Sequence, residues 1–237
     1  MIFNGVDFSQ WMRCGAKRRM APEFECVTFE NGTGVGETFA RRKVRPLVIP
    51  VICRLTLGRW NTVEQVATVR RRIASMLVTD APARLVLDDE PDRYYMAIAT
   101  NLDELSSLKC SGSFELEFTA HDPIAYGMDR ESDVSGQTTL MVDGTHETYP
   151  VFRLESTAGP GGHVKVMDVE SGLHVELEPG IQAGSLVTID MGSETTRVNG
   201  NLWPITLASD YFPLHVGLAK VSVAGAAGTV KWTERWL

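Results

Sequence analysis

Apolar residues in this chain recur at every second position, in short runs broken by glycine, proline and asparagine; in one place only do they recur at helical spacing. In Phe114-Glu115-Leu116-Glu117-Phe118 the alternation is strict, and Val51, Cys53, Leu55 and Leu57 alternate with Ile52, Arg54 and Thr56. Residues two apart share one face of a strand, so each run predicts a strand with a dry face and a wetter one. Pro50 cannot donate to a ladder, which puts the start of its run at a sheet edge or a bulge. The same pattern predicts strands at Glu25–Phe29, Glu37–Arg42, Ala83–Leu87, Tyr94–Thr100 and Ser113–Thr119. In the second half it predicts Val151–Ser156, Val164–Val169, His174–Leu177, Leu186–Asp190, Thr196–Val198, Leu202–Leu207, Lys220–Val223 and Val230–Arg235. Asn199-Gly200 between two of these favours a type I′ hairpin, since both turn residues must accept positive φ.

The helical exception runs from Thr62 to about residue 78. Val66, Val69, Ile73 and Leu77 form one apolar stripe. Thr62 with Gln65 has the form of a capping box, and Asn61 with Glu64 offers the same device one residue earlier. Arg70, Arg71 and Arg72 fall on or beside the polar face.

Charge divides the chain. Residues 1–120 carry 16 Lys and Arg against 15 Asp and Glu, a net of +1, whereas 121–237 carry 7 against 15, a net of −8, giving the −7 of the whole. The polar stretch from Gly127 to Gly136 sits at this change and reads as a linker or a long connection. Two domains are expected, 1–127 and 128–237, the first β-rich with one helix and the second all-β. Short strands with regular turns indicate a sandwich or jelly roll.

The acidic balance argues against a dedicated nucleic-acid binder. No apolar run approaches the roughly 20 residues of a spanning helix, so no membrane insertion is expected. The opening Met1-Ile2-Phe3-Asn4-Gly5-Val6-Asp7 lacks the basic and apolar regions of a signal peptide. Cys14, Cys26, Cys53 and Cys110 show neither C-x-x-C nor zinc-ligand spacing with the five histidines. With no export signal they read as reduced, buried or half-buried small hydrophobes.

No catalytic, cofactor-binding or metal-ligating residue emerges. There is no P-loop, and Gly32-Thr33-Gly34-Val35-Gly36 precedes a strand where a phosphate cradle needs a helix, so it reads as a turn. The G-x-S-x-G and H-E-x-x-H signatures do not occur, and His121, His146, His163, His174 and His215 lie beside no nucleophile motif. Asp88-Asp89-Glu90-Pro91-Asp92 lacks the spaced ligands of a calcium loop and reads as a charged turn leading into a strand. Arg41, Arg42, Lys43 and Arg45 suit solvated faces or ion pairs between proteins. The residues alone describe an acidic, two-domain β protein built for binding or assembly rather than an enzyme.

The ordered phrases of the chain resemble a known family. Phe3-Asn4-Gly5-Val6-Asp7-Phe8-Ser9, the capped helix, Leu87-Asp88-Asp89-Glu90-Pro91-Asp92-Arg93-Tyr94-Tyr95, and the stretch from Phe114 to Asp122-Pro123-Ile124-Ala125-Tyr126-Gly127 are similar, in that order, to the N-terminal half of the siphophage distal tail proteins, the Dit or phage tail component family. Thr148-Tyr149-Pro150-Val151-Phe152, Ile189-Asp190, Val198-Asn199-Gly200, Phe212-Pro213-Leu214 and the closing Lys231-Trp232-Thr233-Glu234-Arg235-Trp236-Leu237 resemble its second half. A departure is His215-Val216-Gly217-Leu218-Ala219, where the family usually has a Pro-Gly-x-Asn turn.

The resemblance implies a mainly β fold of two sandwiches, the N-terminal one carrying the helix and the C-terminal one galectin-like. It implies a structural virion protein at the distal end of the tail, made in the host cytoplasm. Its copies would form a ring, commonly hexameric, that joins the tail tube protein to the tail-associated hub protein (Tal). Tape measure and receptor-binding proteins are further implied partners; no cofactor is implied. Charge suggests where the ring contact lies: Asp88–Arg93 and Arg41–Arg45 are opposite clusters within one domain. The last strand is left open, to pack in either domain. A rival reading is a carbohydrate-binding module whose Tyr149, Trp203, Tyr211, Phe212, Trp232 and Trp236 stack on sugars.

Overall fold

A computed structural model describes residues 1–16, 23–32, 34–56, 62–102, 113–159 and 162–237. Cys110, Asn61, Leu57, Thr33 and the Pro160-Gly161 turn lie outside the described residues. The architecture is mainly β, two sandwich units with one α-helix among the described residues of the first. The chain separates into Met1–Ala125 and Tyr126–Trp236, each with its own apolar core.

The first unit contains β1 (Ile2–Phe3), β2 (Val6–Asp7), β3 (Met12–Ala16), β4 (Phe24–Glu30), β5 (Glu37–Val44), β6 (Leu47–Leu55), α1 (Val63–Leu77), β7 (Ala83–Leu87), β8 (Glu90–Ala99) and β9 (Ser113–Ala120). One antiparallel run orders β2, β1, β7 and β8, and a second orders β8, β9, β6 and β3, so β8 is common to both. Val51, Cys53, Leu116 and Phe118 point inward at alternate positions, as their spacing predicts. Pro50 pairs with Glu117 of β9, and among the described residues β6 pairs with β3 from Val51 to Leu55.

Thr62 caps α1 as expected. Its hydroxyl accepts from Gln65 N–H and the Gln65 side chain accepts from Thr62 N–H, closing the capping box. Val66, Ile73 and Leu77 are buried, and Val69 is half-buried beside them.

The second unit holds most of β10 (Ala125–Val142), then β11 (Val151–Ser156), β12 (Lys165–Asp168), β13 (His174–Glu176), β14 (Leu186–Asp190), β15 (Thr195–Val198), β16 (Asn201–Leu202) and β17 (Gly217–Trp236). β16, β15, β14, β11 and β17 pair in that order, and β12 joins β13 to β17. Asn199 and Gly200 have φ of 50° and 84°, the I′ signature expected between β15 and β16.

Three expectations fail here. Gly127–Gly136 is strand, not linker. Its polar groups bond to β17: Asp129 pairs with Lys231 at 2.9 Å and accepts from Thr233 at 2.7 Å, and Arg130 meets Glu234 at 2.5 Å. The strand expected over Leu202–Leu207 stops at Leu202, because Pro204 has no N–H for a ladder. Finally, Lys220–Val223 and Val230–Arg235 are parts of one 20-residue strand, β17, which belongs to the second unit.

Candidate assembly surface

The feature that sets the first unit apart is a hairpin with no core beneath it. Among the described residues β4 and β5 pair only with each other, as a two-stranded sheet. The glycine-rich segment between them is the turn the sequence predicts, with Gly34 and Gly36 at φ of 73° and 69°. A bulge sits at Ala40, since Val27 faces Arg41 while Thr28 faces Phe39. Alternation around this bulge places Phe24, Cys26, Phe39, Arg42 and Val44 on one face and Glu25, Val27, Phe29, Arg41 and Lys43 on the other.

Apolar side chains thus occur on both faces, and neither face is covered: Phe29 is 64% and Phe39 60% exposed. An isolated two-stranded hairpin is marginally stable in water. Exposed apolar groups of this size make the hairpin the candidate surface for contact with another protein.

Charge around the hairpin is mixed. Arg45 lies 3.7 Å from Glu23 and 3.8 Å from Glu25, and the Arg42 guanidinium stacks 4.2 Å over the Phe24 ring. Arg41 and Lys43 make no ion pair among the described residues. Of the clusters expected at a contact, Arg41–Arg45 is therefore displayed on a strand with the exposed apolar groups. The acidic cluster is engaged within the unit: Asp88 and Asp89 form the β7–β8 turn, Asp88 holds the Met1 amine, and Arg93 lies 3.9 Å from both Glu90 and Asp92. Of the helix arginines, Arg70 is half-buried, while Arg71 and Arg72 are exposed and Arg72 lies over the Trp11 ring at 5.5 Å.

No group of three or more His, Cys, Asp or Glu converges among the described residues. The histidines are separate. His163 contacts Glu176 at 3.2 Å, His215 lies 3.7 Å from Glu147, and His146 and His174 meet backbone carbonyls. Cys14 and Cys53 are buried as expected, but Cys26 is exposed, because it lies on the uncovered hairpin.

Most of the aromatic set is engaged within the second unit. Phe212 and Trp232 are core residues. Tyr211 bonds through its hydroxyl to Thr196 at 2.8 Å, and Trp203 donates its indole N–H to Glu178 O at 2.9 Å. Trp236 packs against Gly127, where an added Cβ would come within 2.2 Å of its ring. Only Tyr149 of the six is exposed. Its hydroxyl is held above its ordinary pKa by desolvation and then by the Glu147 carboxylate, to which it donates at 3.3 Å.

The hairpin was predicted as two strands and a turn, but its lack of cover was not. Nothing in a β4 or β5 residue records that the face beneath it is empty.

Comparison with known proteins agrees with this picture. Residues 143–236 match the family model of the siphovirus-type tail component, C-terminal domain, and residues 17–120 match that of the phage tail protein RIFT-related domain. No curated relative matches the sequence. Among solved structures, the Dit protein of phage SPP1 is similar with a TM-score of 0.79 at 15% identity, over 100% of this chain and 98% of that one. A chain of the phage p2 baseplate in its activated conformation with Sr has a TM-score of 0.51 at 9% identity, over 95% and 90%. At such identities the structures show a common fold, and the two family matches together span most of the chain. The chain therefore belongs to the siphophage distal tail protein (Dit) family, the structural tail components at the distal end of the virion.

Proposed function

We propose that six copies of this chain close into a ring that joins the tail tube protein to the tail-associated hub protein, with tape measure and receptor-binding proteins as further neighbours. The β4–β5 hairpin is the ring contact, laid onto the next copy. The observation that carries this is its uncovered state: Phe29 and Phe39 stand in solvent on opposite faces of a sheet with no core of its own. A neighbour that buries both faces stabilises the hairpin, and head-to-tail contacts of this kind close into a ring when the rotation fits. Arg41 and Lys43 add positive charge that a neighbour's acidic groups can meet. A structural role in the baseplate requires no catalytic step.

Light scattering after size exclusion tests the ring. Six copies of the 26.1 kDa chain weigh about 157 kDa. Phe29→Ser with Phe39→Ser, and separately Arg41→Glu with Arg42→Glu, should shift that mass toward the monomer while leaving the far-UV spectrum unchanged. A monomer both alone and on co-expression with tail tube and hub proteins refutes the ring. An undiminished ring in both double variants refutes the hairpin contact.

A further inference from the structure

β3 and β6 run antiparallel with Cys14 directly opposite Cys53. The bond from Thr56 N–H to Trp11 O, 2.9 Å, sets the phase of that ladder. Trp11 and Thr56 form a hydrogen-bonded pair, so, counting along the alternation, Cys14 and Cys53 form a non-hydrogen-bonded one. In such pairs the Cα atoms approach to about 4.5 Å and the side chains come closest. That spacing lies within the roughly 4.4–6.8 Å that a disulfide spans. The two sulfur atoms are 2.8 Å apart, and both residues are buried in the first core, at 9% and 0% exposure.

We propose that Cys14 and Cys53 are an oxidative modification site, closing a cross-strand disulfide that staples β3 to β6 after the virion leaves the host. The chain is made in a reducing cytoplasm, where thiols persist, and works at a virion surface, where disulfides form and last. With a peroxide as oxidant the step balances. One thiolate attacks a peroxide oxygen, the O–O bond breaks, one water leaves and a sulfenic acid forms. The second thiol then displaces that oxygen as a second water, so two thiols and one hydrogen peroxide yield one S–S bond and two waters. The Cys53 thiol is held protonated by its contact with Cys14 and by burial. The Cys53 thiolate is therefore scarce in the closed sheet, and attack from Cys53 waits on local opening. A slow closure of this kind suits a bond made after assembly.

The cysteines are 39 positions apart in the chain, so closing the bond removes a long loop's freedom from the unfolded state. The unfolding midpoint of the first unit should rise by about 5 °C or more. To test this, the reduced full chain is incubated with hydrogen peroxide, unfolded, alkylated and digested without reductant. The expected product is the Cys14 peptide joined to the Cys53 peptide, lighter than their sum by two hydrogens, together with the raised midpoint. Cys53→Ala should abolish both the cross-link and the shift. If that variant does not fold, peptide mapping of the natural chain decides alone. Both thiols still alkylated after peroxide, their conversion to sulfinic acid, or linkage of either to Cys26 or Cys110 would overturn the proposal.

Discussion

Alanine at Gly225 is expected to destabilise the second unit by about 3–4 kcal/mol. β17 pairs with β12 through Val221–Ala224 and with β11 through Ala226–Lys231, and Gly225 is the residue between. It turns the strand from one neighbour to the other at φ of 71°, a region that costs an alanine about 1–2 kcal/mol. A Cβ there would lie 2.1 Å from the His163 carbonyl oxygen, so backbone must move. The movement falls on the Gly225 carbonyl, which accepts from Thr157 N–H at 2.9 Å and Ala158 N–H at 3.1 Å. Weakening those two bonds adds about 1 kcal/mol each.

Two other glycines separate the causes. Gly136 has φ of 60° and open space around its Cβ position, so Gly136→Ala reports the strain alone. Gly228 has no positive φ, but its Cβ would lie 2.2 Å from Arg153 O, so Gly228→Ala reports the close approach alone. Scanning calorimetry of the full chain should show the transition of the second unit falling by about 15 °C for Gly225→Ala and by about half of that or less for Gly136→Ala. Equal shifts for those two variants would show that the close approach to His163 has no energetic consequence and would refute the reasoning.

Other predictions test local features. Thr62→Ala removes half of the capping box and should destabilise the first unit by about 1 kcal/mol in urea titration, with Thr62→Ser nearly neutral. Tyr149 is held protonated in the folded chain, so its contribution is intact below pH 10 and is lost as pH rises through the raised folded value. Absorbance titration should lose a late-ionising phase in Tyr149→Phe, and that variant should flatten the fall of stability above pH 10. Arg130→Met leaves the Glu234 carboxylate, 4% exposed, without its guanidinium. That variant should melt lower than the natural chain, and Arg130→Met with Glu234→Leu should recover part of the loss.

What the residues determine by themselves is local. The capping box at Thr62 and Gln65, the I′ turn at Asn199-Gly200 and the strict alternation of Phe114–Phe118 all appear in the structure where they were expected, because each depends on groups within a few positions of one another. The same holds for the absence of any recognisable nucleotide or hydrolase motif, a statement about sequence alone. Tertiary structure decided everything that needed a distant partner. Gly127–Gly136 reads as a linker until Lys231, Thr233 and Glu234 of β17 are placed beside it to satisfy its charges. β17 reads as two strands because glycine at position 225 resembles a break, and only the close carbonyl of His163 shows that it is a bend within one strand. Cys14 and Cys53 come together through a strand register that no spacing encodes. Burial is likewise a relation between segments: Phe118 is covered by Phe3 from far along the chain, while Phe29 and Phe39, equally apolar, are left in solvent on a hairpin that pairs with no other described strand.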